Sequence, residues 1–210
     1  MGMRGLLDAL FPPRNSERLV ARATEDDVDP LITPTVLAFE KEQVVGLLSL
    51  HHPLVRALIT EVRLHDSEKA CTLLGRVLAT YLGDSVTEQD TFEMGNFGLV
   101  PIPLSKKQHE KRGYNQVERV TACAITFLGL QGAPSAGVLV RTQDTLPQAR
   151  LRTHEREENV RGAFRAGSID PAHTYILIDD FVTTGATLAE AARTLRTAGA
   201  SRVICISLSY

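Results

Sequence analysis

Two adjacent carboxylates, Asp179 and Asp180, stand at the end of an apolar run and just before a short loop of threonines and glycine. The apolar run, residues 175–178, is typical of a buried strand, and the pattern after the loop is helical. In open α/β sheets, ligands bind at the carboxyl ends of the strands. The sequence therefore predicts a ligand site where this strand ends.

The loop has the composition of a phosphate site, because it contains Thr183, Thr184, Gly185, Ala186 and Thr187. Consecutive backbone N–H groups at the start of a helix attract an anion, and the helix dipole adds to the attraction. The glycine lets the backbone approach a phosphate without an intervening Cβ, and the threonine hydroxyls add donors. The carboxylates accept hydrogen bonds from vicinal hydroxyls and attract a sugar-bound Mg²⁺. The whole segment therefore suits ribose 5-phosphate.

The remaining patterns place this segment in a parallel sheet. The predicted elements are an amphipathic helix from Asp66 or Ser67 to about 82, a strand at 97–103, a basic loop to 115, a helix at about 116–128, a strand at 138–140, a long polar segment at 141–165, a helix at 187–197 and a strand at 202–208. Strands that alternate with helices predict an α/β fold, with a mostly parallel, Rossmann-like sheet flanked by helices. Prolines interrupt the first residues, so we divide the chain into an N-terminal appendage, 1–45, and a main domain, 46–210.

Composition limits the class of protein. The chain has 210 residues, of which 43% are hydrophobic, and a net charge of −2, as expected of an ordinary globular protein. Residues 101–165 carry 11 Lys and Arg against 6 Asp and Glu, and this local excess indicates an anionic ligand. Neither a signal peptide nor an apolar run of membrane-spanning length is recognised, so we expect a cytoplasmic protein without a membrane partner.

The strand, the acidic pair and the threonine loop resemble the motif with which type I phosphoribosyltransferases bind 5-phosphoribosyl pyrophosphate (PRPP). Upstream, Val100-Pro-Ile-Pro103 and Arg112-Gly-Tyr-Asn-Gln116 resemble the signature of the ComF family, phosphoribosyltransferase-like proteins associated with natural competence and DNA uptake. Further matches to that family are Leu139-Val-Arg141, Gln148, Glu155-Arg156, Asn159-Val160 and Gly162-Ala-Phe164. The resemblance implies a type I phosphoribosyltransferase fold with a small N-terminal hood.

The resemblance also implies roles for individual residues. Asp179 and Asp180 would be catalytic, holding the ribose diol beside a Mg²⁺ that arrives with PRPP and takes no ligand directly from the protein. The loop after the strand at 97–103 would meet the diphosphate through Ser105 and Arg112. The candidate contacts of a mobile catalytic loop are Arg141, Gln148, Arg156 and Asn159.

The chain departs from the family at its N-terminal end. Family members usually begin with a zinc ribbon built on Cys-x-x-Cys pairs, whereas Asn15 and Arg18 stand where the first cysteine pair would fall. The first cysteine is Cys71, so no zinc site of this kind is expected. In addition, Arg63-Leu64 replaces a Lys-Tyr pair that is common after the first long helix.

Three functions remain open from the sequence. The first is an enzyme that transfers the phosphoribosyl group from PRPP to a nitrogen acceptor, such as a nucleobase, with release of pyrophosphate. The second is a non-catalytic protein that binds PRPP or a nucleotide in DNA uptake. The third is a factor that binds single-stranded DNA through the basic segment 101–165. A competence helicase and a second copy of the chain are further candidate partners.

Overall fold

The computed structural model describes residues 14–88, 97–130, 137–143 and 159–210. Its α-helices are α1 (Asn15–Arg22), α2 (Glu25–Val28), α3 (Pro53–Leu64), α4 (Glu68–Glu88), α5 (Lys106–Arg112), α6 (Gln116–Phe127) and α7 (Ala186–Thr197), with a 3₁₀ helix at Asp29–Leu31. Its strands are β1 (Thr35–Ala38), β2 (Gln43–Leu48), β3 (Phe97–Pro101), β4 (Leu139–Arg141), β5 (Phe164–Ala166), β6 (Thr174–Phe181) and β7 (Arg202–Ser209).

Five strands form the main sheet, in the order β1-β2-β7-β6-β3. β2, β7, β6 and β3 run parallel, and β1 joins the edge antiparallel to β2. The interior strand β6 is apolar on both faces, as expected of a parallel strand covered on both sides. The predicted α/β class, with a mostly parallel sheet flanked by helices, is confirmed.

The two faces of the sheet belong to different hydrophobic cores. Ile176 and Ile178 of β6 pack into the first core, together with apolar side chains of α1, α3, α4 and α6. Tyr175 and Leu177 point to the opposite face, where α7 covers the sheet. Since side chains alternate along a strand, Asp179 follows the α7 face and Asp180 follows the α6 face. The two side chains therefore leave the strand toward opposite faces, although their carboxylates remain close enough to interact with each other.

The N-terminal segment packs onto the same sheet and core. Val20 of α1 is buried in the first core. Glu61 of α3, only 2% exposed, accepts hydrogen bonds from the Arg14 guanidinium and from the Ser16 hydroxyl, the latter at 2.6 Å. The predicted boundary at residue 45 falls within β2. The division into an appendage and a main domain stays a prediction.

Two local predictions are corrected. The residues after β3 were expected to form a loop, but α5 lies there, with Ser105 as its N-cap and Gln108 completing a capping box. The segment 141–165, where it is described, contributes to two antiparallel strands, β4 and β5, that form a second small sheet. No helix in the described ranges is both long and apolar enough to cross a membrane.

Candidate ligand-binding site

The end of β6 positions the acidic pair. Ile176, Leu177 and Ile178 have no exposed surface and anchor the strand between β7 and β3. Asp179 and Asp180 both lie within the strand rather than after it. The backbone N–H of Asp180 donates to Asp179 Oδ1 at 2.9 Å, which holds the first carboxylate against the main chain.

Asp180 is a buried carboxylate with strong donors. Its side chain accepts a hydrogen bond of 2.7 Å from Gln116 Nε2. Arg63 Nε lies 3.1 Å from the same oxygen, Oδ2, and forms an ion pair with it. Arg112 reaches this group indirectly, because its Nη1 donates to Gln116 Oε1 at 2.9 Å. The two arginines and the glutamine supply the compensation that a buried charge requires.

Asp179 lies on the other face and has a different environment. Burial raises its pKa, and the nearby negative charge of Asp180 raises it further. The backbone N–H of Asp180 and the positive charge of Arg63 act in the opposite direction without cancelling the rise. Asp179 thus holds its proton to higher pH than an ordinary aspartate, and a cation or hydroxyl donor at this place would favour its ionised form.

A shallow pocket opens beside Asp179. The lining residues are Asp179, Phe181, Val182, Thr183, Gly185, Ala186, Thr187 and Leu188, and the space, including its open mouth, measures about 190 Å³. One carboxylate of the pair therefore shares a pocket with four of the five residues predicted to bind phosphate. Asp180 and Thr184 lie next to this lining rather than in it.

The loop itself depends on Gly185, which has φ = +70° at the N-cap of α7. A Cβ at this position would lie 2.5 Å from Cδ2 of Phe39, at the end of β1. The residue must therefore be glycine both for its left-handed backbone and for its contact with the ring. Thr184 Oγ1 is buried and has no hydrogen-bond partner among the described residues. Since buried hydroxyls are normally satisfied, this one indicates a missing acceptor or donor.

The other predicted contacts are distributed over three places. Ser105 is 2% exposed, and its hydroxyl accepts a hydrogen bond of 3.3 Å from the backbone N–H of Gln108. In this structure the hydroxyl caps α5. Arg141 lies in β4 with its guanidinium 5.4 Å from the Phe164 ring centroid. Asn159 is half-buried and lies five residues before β5 in the chain. Gln148 and Arg156 lie outside the described residues.

Three residues at the site were not predicted. Gln116 belongs to the Arg112–Gln116 motif, so the sequence could have indicated that its side chain contributes to the site. Arg63 was noted only as a departure from a family pattern, and Phe39 gave no signal in the sequence. Among the residues that the structure describes, no group of three His, Cys, Asp or Glu side chains could hold a metal ion.

Comparison with known proteins supports this reading of the fold. The phosphoribosyl transferase domain profile matches residues 129–210, which include the acidic pair and the loop. The chain is similar to the DNA utilization protein YhgH of Escherichia coli (strain K12), with 33% identity over 105 residues, 50% of this chain and 45% of that protein.

Two further relatives carry competence names. Competence protein F of Haemophilus influenzae is 28% identical over 108 residues, 50% of this chain and 46% of that protein. Competence protein ComFC of Bacillus subtilis (strain 168) is 36% identical over 100 residues, 48% of this chain and 38% of that protein. In each case the match spans less than half of the relative.

Proposed function

We propose that this chain, a phosphoribosyltransferase-like protein of the ComF family, binds PRPP with Mg²⁺ and transfers the phosphoribosyl group to a nitrogen acceptor. The observation that carries the proposal is the pocket at the end of β6, which combines the Asp179 carboxylate with the threonine loop. A phosphate group and a diol are the two features of ribose 5-phosphate that such a pocket would recognise.

The 5′-phosphate would occupy the loop. The N–H groups at the start of α7 and the helix dipole provide the positive potential. The buried hydroxyl of Thr184, which lacks a partner in the described structure, would donate to a phosphate oxygen. Gly185 is required for this conformation of the loop, since a Cβ there would meet the Phe39 ring.

The ribose hydroxyls would lie at the acidic pair. Asp179 faces the pocket, and its carboxylate would accept from the diol in its ionised form. Asp180 lies beside it, held by Gln116 and Arg63. Mg²⁺ arriving with PRPP would neutralise the diphosphate and take most of its ligands from the substrate and water.

The reaction would replace one bond at the anomeric carbon by another. The bond to the diphosphate oxygen breaks, and pyrophosphate leaves with the electron pair. The acceptor nitrogen supplies the new bond and releases its proton to water. Because positive charge develops on the ribose ring, nearby carboxylates stabilise the transition state. Catalysis would then consist of positioning and charge stabilisation.

The first experiment is calorimetric titration of PRPP and Mg²⁺ into wild type and Thr184→Trp. An indole at Thr184 would obstruct the phosphate loop, so we expect binding by wild type alone. Thr126→Trp serves as the control, because Thr126 is an exposed residue of α6. If wild type shows no binding, or if Thr184→Trp binds as wild type does, the proposed site is wrong.

Turnover is tested separately by measuring pyrophosphate release with a panel of nitrogenous bases. Release that requires a base and is lost in Asp179→Asn would establish the transferase. Binding of PRPP without release for any base would instead assign a non-catalytic, ligand-sensing function to the same pocket.

A second candidate function, binding of single-stranded DNA, is favoured by one observation. The side chains of Lys106, Lys107 and Lys111 are exposed on α5. DNA affinity that falls steeply with salt and is unchanged in Asp179→Ala would support this function, because contacts with phosphates release counterions. Affinity that disappears in Asp179→Ala would place any DNA binding in the PRPP pocket instead.

A further inference from the structure

Arg63 occupies a defined place beside the acidic pair. It lies in the last turn of α3, with its Nε 3.1 Å from Asp180 Oδ2. The Asp180 side chain is 8% exposed, whereas the Arg63 side chain is 37% exposed. The ion pair therefore bridges from the buried carboxylate to the solvent side of the site. Among the described residues, Asp180 is the only carboxylate that the Arg63 guanidinium pairs with.

The turn that carries Arg63 is held on both sides by Tyr114. The Tyr114 hydroxyl donates to the carbonyl oxygen of Val62 at 3.1 Å and accepts from the backbone N–H of Asp66 at 2.9 Å. Asp66 has a left-handed backbone, with φ = +52°, and its carboxylate forms an ion pair with Arg119. Such a strained residue persists only when its surroundings fix it. The position of Arg63 is thus built into the fold.

The guanidinium has more donors than Asp180 uses. Arginine presents five N–H donors in a planar fork, and the ion pair engages its Nε side. Gln116 already supplies a hydrogen bond to the same oxygen of Asp180. The other nitrogens of the partly exposed Arg63 guanidinium could therefore donate to a second anion.

The chemistry of PRPP places an anion at this point. The diol that carboxylates recognise comprises the hydroxyls on C2 and C3, and the diphosphate is attached to C1, next to C2. If Asp180 contributes to recognition of the diol, as proposed above, a cation paired with Asp180 lies close to the diphosphate. The phosphate loop lies on the opposite, α7 face, so it serves the other end of the ribose.

We propose that Arg63 is a further ligand-binding residue, which uses Asp180 as an anchor and receives the diphosphate of PRPP. The proposal rests on the function proposed above and adds a residue to it. In this arrangement Tyr114 is a positioning residue, because it fixes the turn and touches no ligand. Arg112 reaches the same network only through Gln116.

The test measures the two halves of PRPP separately. Inorganic pyrophosphate with Mg²⁺ and ribose 5-phosphate are titrated calorimetrically into wild type, Arg63→Gln, Arg63→Lys and Arg56→Gln. Arg56 is the matched control, since it is an exposed arginine of the same helix that donates to the Leu50 carbonyl. Thermal unfolding of each variant verifies that it is folded.

We expect Arg63→Gln to weaken pyrophosphate binding about tenfold or more, because charge-assisted hydrogen bonds are lost. Ribose 5-phosphate affinity should change by less than about threefold, since its phosphate lies at the other end of the site. Arg63→Lys keeps the charge and should retain part of the affinity. Arg56→Gln should leave both affinities unchanged.

A double variant separates direct contact from charge compensation. If Arg63 acts only by neutralising Asp180, then Asp180→Asn in the Arg63→Gln background would restore pyrophosphate binding; restoration overturns the proposal. Unchanged pyrophosphate affinity in Arg63→Gln, or an equal loss for both ligands, also overturns it. If wild type binds neither ligand, the proposed function is wrong, and so is the assignment of Arg63, which depends on it. Loss of pyrophosphate binding alone in Arg63→Gln leaves the proposed function standing and supports the added residue.

Discussion

The side-chain amide of Gln116 donates a hydrogen bond of 2.7 Å to Asp180 Oδ2, although 64 residues separate the two in the chain. Both residues are buried, with exposures of 3% and 6% for the whole residue. Gln116 begins α6, and Asp180 lies near the end of β6. This hydrogen bond therefore connects the basic segment around Arg112 with the acidic pair, across the interface between α6 and β6.

Replacement of Gln116 by methionine should destabilise the protein. Methionine is similar in length but cannot donate, so the buried Asp180 carboxylate loses a partner, and we expect a loss of about 1–3 kcal/mol in the free energy of unfolding. Urea denaturation measures the change. The control is Gln43→Met at an exposed position of β2, where little change is expected. Equal effects of the two substitutions would contradict the importance of this hydrogen bond.

Thr184→Val should separate stability from ligand binding. The substitution removes a buried hydroxyl that has no partner in the described structure, so the free energy of unfolding should stay the same or rise by about 1 kcal/mol. Affinity for ribose 5-phosphate should fall about tenfold, because the hydroxyl would donate to the phosphate. Chemical denaturation and calorimetry measure the two effects.

Thr121→Val is the matched control for this substitution. The Thr121 hydroxyl is also buried, but it donates to the carbonyl oxygen of Val117 at 2.7 Å. Valine here should cost about 1 kcal/mol of stability and leave ligand affinity unchanged. If Thr184→Val behaves like Thr121→Val in both measurements, the Thr184 hydroxyl is not part of the phosphate site.

The segment from β6 to α7 was predictable because its signals are local. An apolar run with no exposed residue at 176–178, two carboxylates and a glycine before a helical pattern lie within fifteen residues of one another, and the structure has the expected strand, loop and helix. Gly185 lies in the loop as predicted, and its left-handed conformation is an additional finding. The local sequence pattern was therefore sufficient to predict the strand, the loop and the helix.

Other features depend on contacts between distant residues. α5 has the sequence Lys-Lys-Gln-His-Glu-Lys-Arg, without apolar periodicity, and only the capping box of Ser105 and Gln108 could have indicated a helix. The pairing of Arg63 with Asp180 joins α3 to β6 and leaves no pattern in either segment. The sequence likewise could not show that the adjacent carboxylates would accept hydrogen bonds from different donors, the Gln116 amide for Asp180 and the backbone N–H of Asp180 for Asp179.

The raised pKa of Asp179 predicts a pH dependence of stability. In the native state this carboxyl binds its proton more tightly than in the unfolded chain, where an aspartate has a pKa of about 3.9. The stabilising contribution is fully present below that value and is lost as pH rises through the native pKa. The loss of this contribution lowers the free energy of unfolding of the wild type as pH rises, and the effect should be absent in Asp179→Asn. Urea denaturation at a series of pH values measures both profiles.

Asp170→Asn should have an effect of the opposite sign. The backbone N–H of Ala172 and, less strongly, His173 lower the pKa of Asp170, so its contribution is present at neutral pH and lost on acidification. The asparagine variant should accordingly lose stability at neutral pH and differ little from wild type in acid.

If Asp179→Asn has the same pH profile of stability as wild type, the Asp179 carboxyl titrates as an ordinary aspartate and its predicted shift is wrong.

Gly185→Ala should destabilise the protein through two separate effects. The backbone angle of φ = +70° is unfavourable for alanine by about 1–2 kcal/mol, and the added Cβ would lie 2.5 Å from the Phe39 ring. Gly113→Ala isolates the first effect, because Gly113 has φ = +80° and open space around its Cβ position. The excess loss in Gly185→Ala, measured by urea denaturation, is then the cost of the contact.

Removal of the ring tests that assignment. In a Phe39→Ala background, Gly185→Ala should cost no more than Gly113→Ala does, because the double-mutant cycle cancels the contact between positions 39 and 185. Ribose 5-phosphate affinity should follow the same pattern if the ring holds the loop in its binding conformation. An excess cost that persists without the Phe39 ring would mean that the added Cβ conflicts with another part of the loop and that Phe39 does not support the phosphate site.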